Sequence, residues 1–499
     1  DQPVAAEPGQ RHDYGRIGVG IALVADPKVK HDLRSVLAKS GAHIHLVGIG
    51  GAGLSAIARV LMGLGYQVSG SDRATSALTA TLAQEGATVY VGHKAQHVAG
   101  ADWVIVSSAV PPDNVEWMAA RQQGIPVVKR AEFLGALMQG HMGIAVAGTH
   151  GKTTTSGMLA TMLLVAGLDP TFIVGGQIAH LHTNARAGSG PFVIEADEYD
   201  RTFLGLRPNI AVVTNVEHDH PDCYPTFEEF RAAFAAFVDL LPDDGVLIVC
   251  ADDLEAKALG ARTRAQGKQV VRYGLTETAH WQAVNVQPNG AGGCDYVALH
   301  RVDGETEVSE GLIRLRVPGV HNVVNSLAVL AVAEQLQVPF ATVAQALRTF
   351  RGIGRRFEIK GVANGVTVVD DYAHHPTEIR ATLSAARGNY TDREIWAVWQ
   401  PHTFSRTKAL LEGFAAAFSD ADHVLVVPIY AARETDDLGV SSVDVVAEMD
   451  HADVRVVTGM DQAVDLLADE VQLGDVVLTL GAGDGYIIGE RLLERLGKG

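Results

Sequence analysis

Gly148-Thr149-His150-Gly151-Lys152-Thr153-Thr154 follows a short apolar run at residues 144–147 and opens a helical stretch expected over 153–166. A glycine-rich turn that starts a helix offers free backbone N–H groups to an anion, and the helix dipole adds favourable potential at the same point. A lysine directly after the last glycine can reach terminal phosphates, and the next hydroxyl can ligate Mg²⁺. Lys152 and Thr153 occupy those two places. The general phosphate-loop pattern has its first glycine six residues before the lysine. That position here is Val146, so the loop is a shortened form, Gly148-x-x-Gly151-Lys152-Thr153. With a strand before it and a helix after it, the stretch reads as a nucleotide phosphate loop in an α/β sheet.

Working outward, short β-branched runs alternate with helical stretches from His43 onward, the signature of parallel α/β units. Upstream, a strand at 43–47, a turn at 48–53 and a helix at 54–64 lead to strands at 66–69 and 103–107, then the breaker Pro111-Pro112. This first unit is expected to close near His141. Downstream of the phosphate loop, 192–194 and 210–214 read as further strands of its sheet. Residues 281–317 read as β-structure with glycine-rich turns, and 321–335 as an apolar helix. The second unit is expected to end near Phe350, and 351–356, with two glycines and three arginines, as a hinge. Strands at 366–369, 395–399, 424–427, 454–457 and 476–480 make a third α/β run.

Gly48-Ile49-Gly50-Gly51-Ala52-Gly53 sits between a strand and a helix, and Asp72 lies 19 residues after Gly53 at the end of the next strand. This is a dinucleotide-type fingerprint, suited to a ligand with a pyrophosphate and a ribose. A dehydrogenase would explain this turn but not the second phosphate loop. Behind that loop, Glu195-Ala196-Asp197-Glu198-Tyr199-Asp200 and Asn215-Val216-Glu217-His218-Asp219-His220-Pro221-Asp222 fall at two strand ends. Strand C-termini are where sites form in open α/β sheets, and Mg²⁺ takes carboxylates, hydroxyls and water.

The chain has 499 residues, enough for two to four domains, and a formal net charge of −18, against a broad nucleic-acid footprint. Its 3 cysteines, Cys223, Cys250 and Cys294, match no metal pattern and suit a reducing compartment. No apolar run approaches the roughly 18 residues that span a membrane. The first residues lack a signal-peptide layout. A cytoplasmic protein without nucleic-acid or membrane partners is expected, with residues 1–40 as an extension of no assigned role.

With these residues in view, the chain resembles the Mur ligase family. The loop Gly148 to Thr154 has that family's form, which accounts for Val146. His45-Leu46-Val47-Gly48-Ile49-Gly50-Gly51-Ala52-Gly53-Leu54-Ser55 is similar to the N-terminal motif of the branch that joins L-alanine to UDP-N-acetylmuramate, with Leu54 for the common Met. Ser69-Gly70-Ser71-Asp72, Ser107-Ser108-Ala109-Val110, Gly319-Val320-His321-Asn322, Arg355-Arg356-Phe357-Glu358, Asp370-Asp371-Tyr372-Ala373-His374-His375-Pro376-Thr377-Glu378, Gln400-Pro401-His402 and Arg406 follow in order.

The resemblance implies three α/β domains. The first, 41–141, would be Rossmann-like and hold UDP-N-acetylmuramate. The second, 142–350, would be P-loop ATPase-like with a mostly parallel sheet and hold ATP. The third, 351–499, would be Rossmann-like and hold ATP and the amino acid. It further implies that Gly148, Thr149, His150, Gly151, Lys152, Thr153, Thr154, Asn325 and Arg356 contact ATP. Gly50, Gly51, Gly53, Ser71, Asp72, Ser107 and Ser108 would contact the UDP substrate. Tyr372, His374 and Arg406 would face the amino acid. Thr153, Glu195 and His220 would hold Mg²⁺, with Glu198 a weaker candidate because it has left the strand end. Lys152, His220, His374 and Arg406 would carry the chemistry, ATP-driven addition of L-alanine through an acyl phosphate, the first peptide-stem step of peptidoglycan synthesis, by a monomer or homodimer. Thr403 departs from a common Arg, and Ala432 from a common Gly. No Lys occurs between Lys152 and Lys257, so a carboxylated-lysine metal ligand is absent. The rival within the family adds a recycled peptide to the same UDP-sugar. Outside it, a non-catalytic nucleotide sensor would need no acid and histidine cluster.

Overall fold

The computed structural model describes residues 41–107, 109–302 and 306–497. Residues 1–40 and Ser108 lie outside them. Three sheets follow one another along the chain.

The first sheet is fully parallel, in the order Thr88–Val91, Gln67–Asp72, His43–Val47, Trp103–Val106, Val127–Lys129. Its strand order reverses beside His43–Val47, so the glycine turn after that strand opens at the switch point where open α/β sheets bind ligands. The ten-stranded central sheet places Gly143–Ala147 between Ile210–Val213 and Phe192–Glu195, all parallel. Every residue of Gly143–Ala147 is buried, as expected of a strand covered on both faces. The phosphate loop therefore leaves the middle of the sheet, with acidic strand ends on both sides. Past Gln269–Gly274, the strands Trp281–Pro288, Cys294–Val302 and Thr306–Arg314 extend the sheet, the last two antiparallel. These are the β-structure expected at 281–317. The third sheet runs Glu358–Ala363, Val366–Asp371, Val476–Leu480, Ile395–Trp399, His423–Val426, Val454–Val456, parallel except for its first hairpin.

Thr88–Val91, Val127–Lys129, Thr171–Ile178, Thr183–Arg186, Val246–Cys250, Gln269–Gly274 and Glu358–Ala363 are strands that local pattern did not single out. Several are short and half-exposed, so neither an apolar run nor a clean alternation marks them.

The expected hinge divides between two sheets. Ile353 is buried in the central core, Ala179 N donates to Gly352 O (3.0 Å), and Gly354 N donates to Gln177 O (2.8 Å). Arg355, one residue on, donates to Asp370 Oδ2 (3.0 Å) and Gly481 O (2.8 Å) in the third unit. Arg355 and Phe357 have φ +60° and +47°. The passage from one unit to the next is thus confined to the bond pair around Gly354 and Arg355.

Two departures noted in the sequence have local consequences. Thr403 is the N-cap of the helix Phe404–Ala409, its hydroxyl accepting from Arg406 N (3.4 Å), a role an arginine side chain cannot take. Ala432 has φ +53°, a left-handed conformation that costs an L-residue about 1–2 kcal/mol and glycine almost nothing. Ala432→Gly should stabilise the protein by about 0.5–1 kcal/mol after the larger unfolded-state entropy of glycine is counted. A lowered melting temperature for this variant would contradict the strain.

Candidate active site at the phosphate loop

Gly151 caps the helix Lys152–Val165 with φ +81°, and a Cβ there would come within 2.6 Å of Asn325 Oδ1. Both constraints require glycine. The first intrahelical bond runs from Thr155 N to Gly151 O, so the amides of Lys152, Thr153 and Thr154 have no intrahelical acceptor. The neighbouring strand end clamps the loop. Asn215 accepts from Thr149 N through its carbonyl (3.1 Å) and from His150 N through its side chain (2.8 Å), and Thr149 Oγ1 donates to Glu217 O (2.8 Å).

Lys152 folds back over its own loop. Its Nζ donates to Gly148 O (2.6 Å), Thr149 O (3.0 Å) and Glu198 Oε1 (2.9 Å). Burial opposes the ammonium charge, but Glu198 and then Glu195 outweigh it and hold the pKa above its ordinary value. Thr153 Oγ1 donates to Glu195 Oε1 (3.0 Å), and Gly175 N donates to Glu195 Oε2 (2.6 Å). Burial raises the Glu195 pKa against the pull of Lys152. His220 Nε2 lies 3.4 Å from Glu198 Oε1. Burial disfavours the His220 cation, while Asp219 and Glu198 favour it more, and its pKa is raised.

The third unit closes over this cluster. Arg406 is buried and donates through Nε to Asp219 Oδ1 (2.8 Å), with His402 Nδ1 at 3.1 Å and His220 Nδ1 at 3.4 Å from its other nitrogens. Glu378 receives His374 N (3.0 Å), Arg356 Nη1 (3.5 Å) and His150 Nδ1 (3.3 Å). His150 also meets Glu217 Oε2 at 3.0 Å. Burial works against the His150 imidazolium, yet the flanking Glu217 and Glu378 raise its pKa to about 9. His374 is the opposite case, lowered to about 3 by burial and by Arg406 despite Glu378. Its Nδ1 lies 3.0 Å from Tyr372 O, so that nitrogen carries the proton and Nε2 is left as an acceptor. The guanidinium carbons of Arg355 and Arg356 lie 5.0 and 5.2 Å from the Tyr372 ring centre.

A cavity of about 410 Å³ lies between the second and third units, within the range of small-molecule sites. Gly151, Thr153, Thr154, Asn325 and Arg356 line it, together with Tyr273, His321, Asn322 and Asp371.

Models of three domains of one family match the chain in order. The Mur ligase family catalytic domain covers residues 43–142, the middle domain 146–333, and the glutamate ligase domain 355–483. The UDP-N-acetylmuramate–L-alanine ligase of Geobacter sp. (strain M21) is 45% identical over 91% of this chain and 97% of its own length. This chain belongs to the Mur ligase family. A second relative of the same name, from Solibacter usitatus, is 46% identical over 92% of this chain and 96% of its own. Among solved structures, the UDP-N-acetylmuramate–alanine ligase of Thermotoga maritima matches with a TM-score of 0.75 at 30% identity, covering 91% of this chain and 99% of that one. The murein peptide ligase of Psychrobacter arcticus matches at 0.69 and 28%, covering 92% and 99%.

In this Mur ligase the residues singled out in the sequence fall in two places. Gly148 to Thr154, Glu195, His220, Asn325, Arg356, Tyr372, His374 and Arg406 gather at or beside the cleft between the second and third units. Gly50, Gly51, Gly53, Ser71, Asp72 and Ser107 lie at the switch point of the first sheet. There Ser71 O accepts from Gly48 N (2.8 Å) and Ile49 N (3.1 Å), and Asp72 Oδ2 accepts from Gly50 N (2.8 Å).

Glu198 was expected to be the weaker carboxylate because it follows the strand end. It is buried against Lys152 and His220. The 3-10 segment Tyr199–Gly205, with left-handed Asp200 and Arg201, folds the chain back, and Tyr224 OH donates to Glu198 O (2.6 Å). Tyr224, Phe230, Phe234, Phe237 and Phe203 pack beneath it. Two side chains escaped the sequence reading. Arg130 donates to Asp197 Oδ2 (2.8 Å), and a Cβ on Gly53 would overlap its guanidinium, so it links the first glycine turn to the acidic loop. Glu116, fully buried, receives Ser71 Oγ, His97 Nδ1 (2.7 Å) and Lys94 N (3.1 Å). Nothing in the local pattern marks either residue. Among the described residues no helix is long and apolar enough to cross a membrane.

Proposed function

We propose that this chain is the ATP-dependent ligase that joins L-alanine to UDP-N-acetylmuramate through an acyl phosphate, supported above all by the contacts that link the phosphate loop to the third unit, Lys152 through Glu198 and His220 to Arg406, and His150 through Glu378 to His374. The names and full-length similarity of its relatives point the same way. ATP lies in the cavity between the second and third units, its phosphates on the free amides of 152–154 and on Lys152. The UDP substrate lies on the turn 48–53 of the first sheet, and its lactyl carboxylate attacks the γ-phosphorus, breaking its bond to the β,γ-bridging oxygen and releasing ADP. Lys152 offsets the charge that spreads over the transferring phosphoryl oxygens, so the protein acts chiefly by positioning and electrostatics.

The amine of L-alanine then attacks the acyl phosphate, and the tetrahedral intermediate collapses to amide and phosphate, the amine's proton leaving on the phosphate. His374, neutral and with Nε2 as acceptor, orients the amine; a group with a pKa of about 3 is too weak a base to hold the amine's proton. Arg406, held by Asp219, presents charge to the amino-acid carboxylate or to the nascent bond.

The donor set suits Mg²⁺. Thr153 Oγ1 and Glu195 supply oxygens, the buried Glu198 Oε2 has no hydrogen-bond partner, and His220 stands beside it. Bound there, the ion would neutralise phosphate charge. The substrates, ATP and a nucleotide-sugar, argue for action in the cytoplasm.

Phosphate release with ATP, UDP-N-acetylmuramate and a panel of amino acids and peptides tests the reading. Release should require all three components and be fastest with L-alanine. Preference for a peptide would favour the murein peptide ligase activity, and release without the UDP-sugar would overturn the assignment.

A further inference from the structure

His150, Glu217 and His375 bring two imidazoles and a carboxylate together beside the cleft. One ligand atom from each lies within 4.8 Å of the other two. His150 Nε2 is 3.0 Å and His375 Nδ1 3.9 Å from the same oxygen, Glu217 Oε2. Four-coordinate Zn²⁺, with bonds of about 2.0–2.1 Å, holds its ligand atoms roughly 3.3 Å apart, so side-chain shifts of about 1 Å would close the triad on an ion.

An ion would take the place of the proton that His150 Nε2 shares with Glu217 and of the hydrogen bond that His375 Nδ1 accepts from Thr377 N. His150 Nδ1 faces Glu378 Oε1 at 3.3 Å. Donation to that carboxylate orients the ring with Nε2 towards Glu217, as in metal centres, where the ion displaces the Nε2 proton. His375 Nδ1 accepts from Thr377 N (3.3 Å), which places the ring proton on Nε2. That Nε2 is buried and has no partner, while Nδ1 lies 3.9 Å from Glu217 Oε2 and would give up the bond from Thr377 N to bind an ion. Thr377 Oγ1 holds the second oxygen of Glu217 at 2.7 Å, fixing the carboxylate. Imidazole with carboxylate favours Zn²⁺, Co²⁺ or Ni²⁺ over Mg²⁺, which prefers oxygen alone.

We propose that His150, Glu217 and His375 form a site for a Zn²⁺-class divalent cation, separate from the oxygen-rich pair Thr153 and Glu195. His150 and Glu217 belong to the phosphate loop and a central strand end, whereas His375 caps the helix Pro376–Asn389 of the third unit. A bound ion therefore ties the third unit to the phosphate loop. It fixes the cleft in its closed form and slows the opening that substrate exchange needs.

The test uses the full chain without nucleotide or substrate, in excess Mg²⁺, so that its outcome does not depend on the ligase reading. Zn²⁺ is titrated against a chromophoric chelator, and Co²⁺ is followed by its visible absorption. One equivalent per chain should bind and raise the melting temperature. His375→Gln and Glu217→Gln should each weaken binding by at least about 10-fold and remove the thermal shift; circular dichroism shows that each variant is folded. Absence of an equivalent in wild type overturns the site, as does undiminished binding in either variant.

Discussion

Lys152→Ala is expected to lower phosphate release by at least about 10²–10³-fold, the loss seen when one charge-stabilising donor is taken from a transition state. Three acceptors converge on the Lys152 ammonium, and two of them are carbonyls of the phosphate loop. The lysine therefore does two things. It supplies the cation that meets phosphoryl charge, and it holds the loop in the shape that presents its amides. Removing it leaves the buried Glu198 with His220 as its remaining cationic neighbour, which shifts that carboxyl towards protonation. Affinity for UDP-N-acetylmuramate should stay within about 2–3-fold of wild type, because the turn 48–53 stands on another sheet. Steady-state kinetics and calorimetric titration of the UDP-sugar measure the two quantities separately. Near-normal turnover would remove the phosphate loop from the mechanism.

Asp219→Asn should cost about 3–5 kcal/mol, the range for deleting one member of a buried ion pair. Asp219 and Arg406 are both almost fully buried, 2.8 Å apart, and come from different sheets. The variant leaves the guanidinium buried without its counter-charge, so the third unit should detach from the second before either unfolds. Small-angle scattering should show a larger radius of gyration, and denaturant titration a lower midpoint. Unchanged values for both would contradict the role of the pair. The pH dependence has a definite sign. Burial opposes the Asp219 charge, but Arg406 and then His220 more than offset it and hold the carboxyl well below its usual range. Its folded pKa is lower than the unfolded value of about 3.9, so its contribution is complete above about pH 4–5 and is lost as pH falls through the folded pKa. Wild type and variant should therefore differ fully at neutral pH and converge in acid.

The parts of the site that were legible in the sequence share a property. The phosphate loop is contiguous, and its function depends on residues within seven positions of one another. Its strand and helix are marked by an apolar run and by the glycine that starts the helix. Glu195 and His220 were legible because strand ends at a sheet centre converge, whatever the rest of the fold does. The burial of Glu198 was not legible, because a local reading carries the chain straight on past Ala196. The left-handed residues Asp200 and Arg201 turn it back, and the aromatic packing under Tyr224 holds it there. Those determinants are distributed over residues 200–237, and no window around Glu198 contains them.

The sequence by itself determined the shortened phosphate loop, the glycine turn at the first switch point, the succession of three α/β units and the family they belong to. Each is written in residues adjacent in the chain. Tertiary structure alone decided which charges face each other across the units. Asp219 meets Arg406, His150 stands between Glu217 and Glu378, and Arg130 spans from the first glycine turn to Asp197. Coulombic and hydrogen-bond energies depend on ångström separations and on burial. For residues 160 or more positions apart, such as Asp219 and Arg406, both are fixed by the packing of whole sheets.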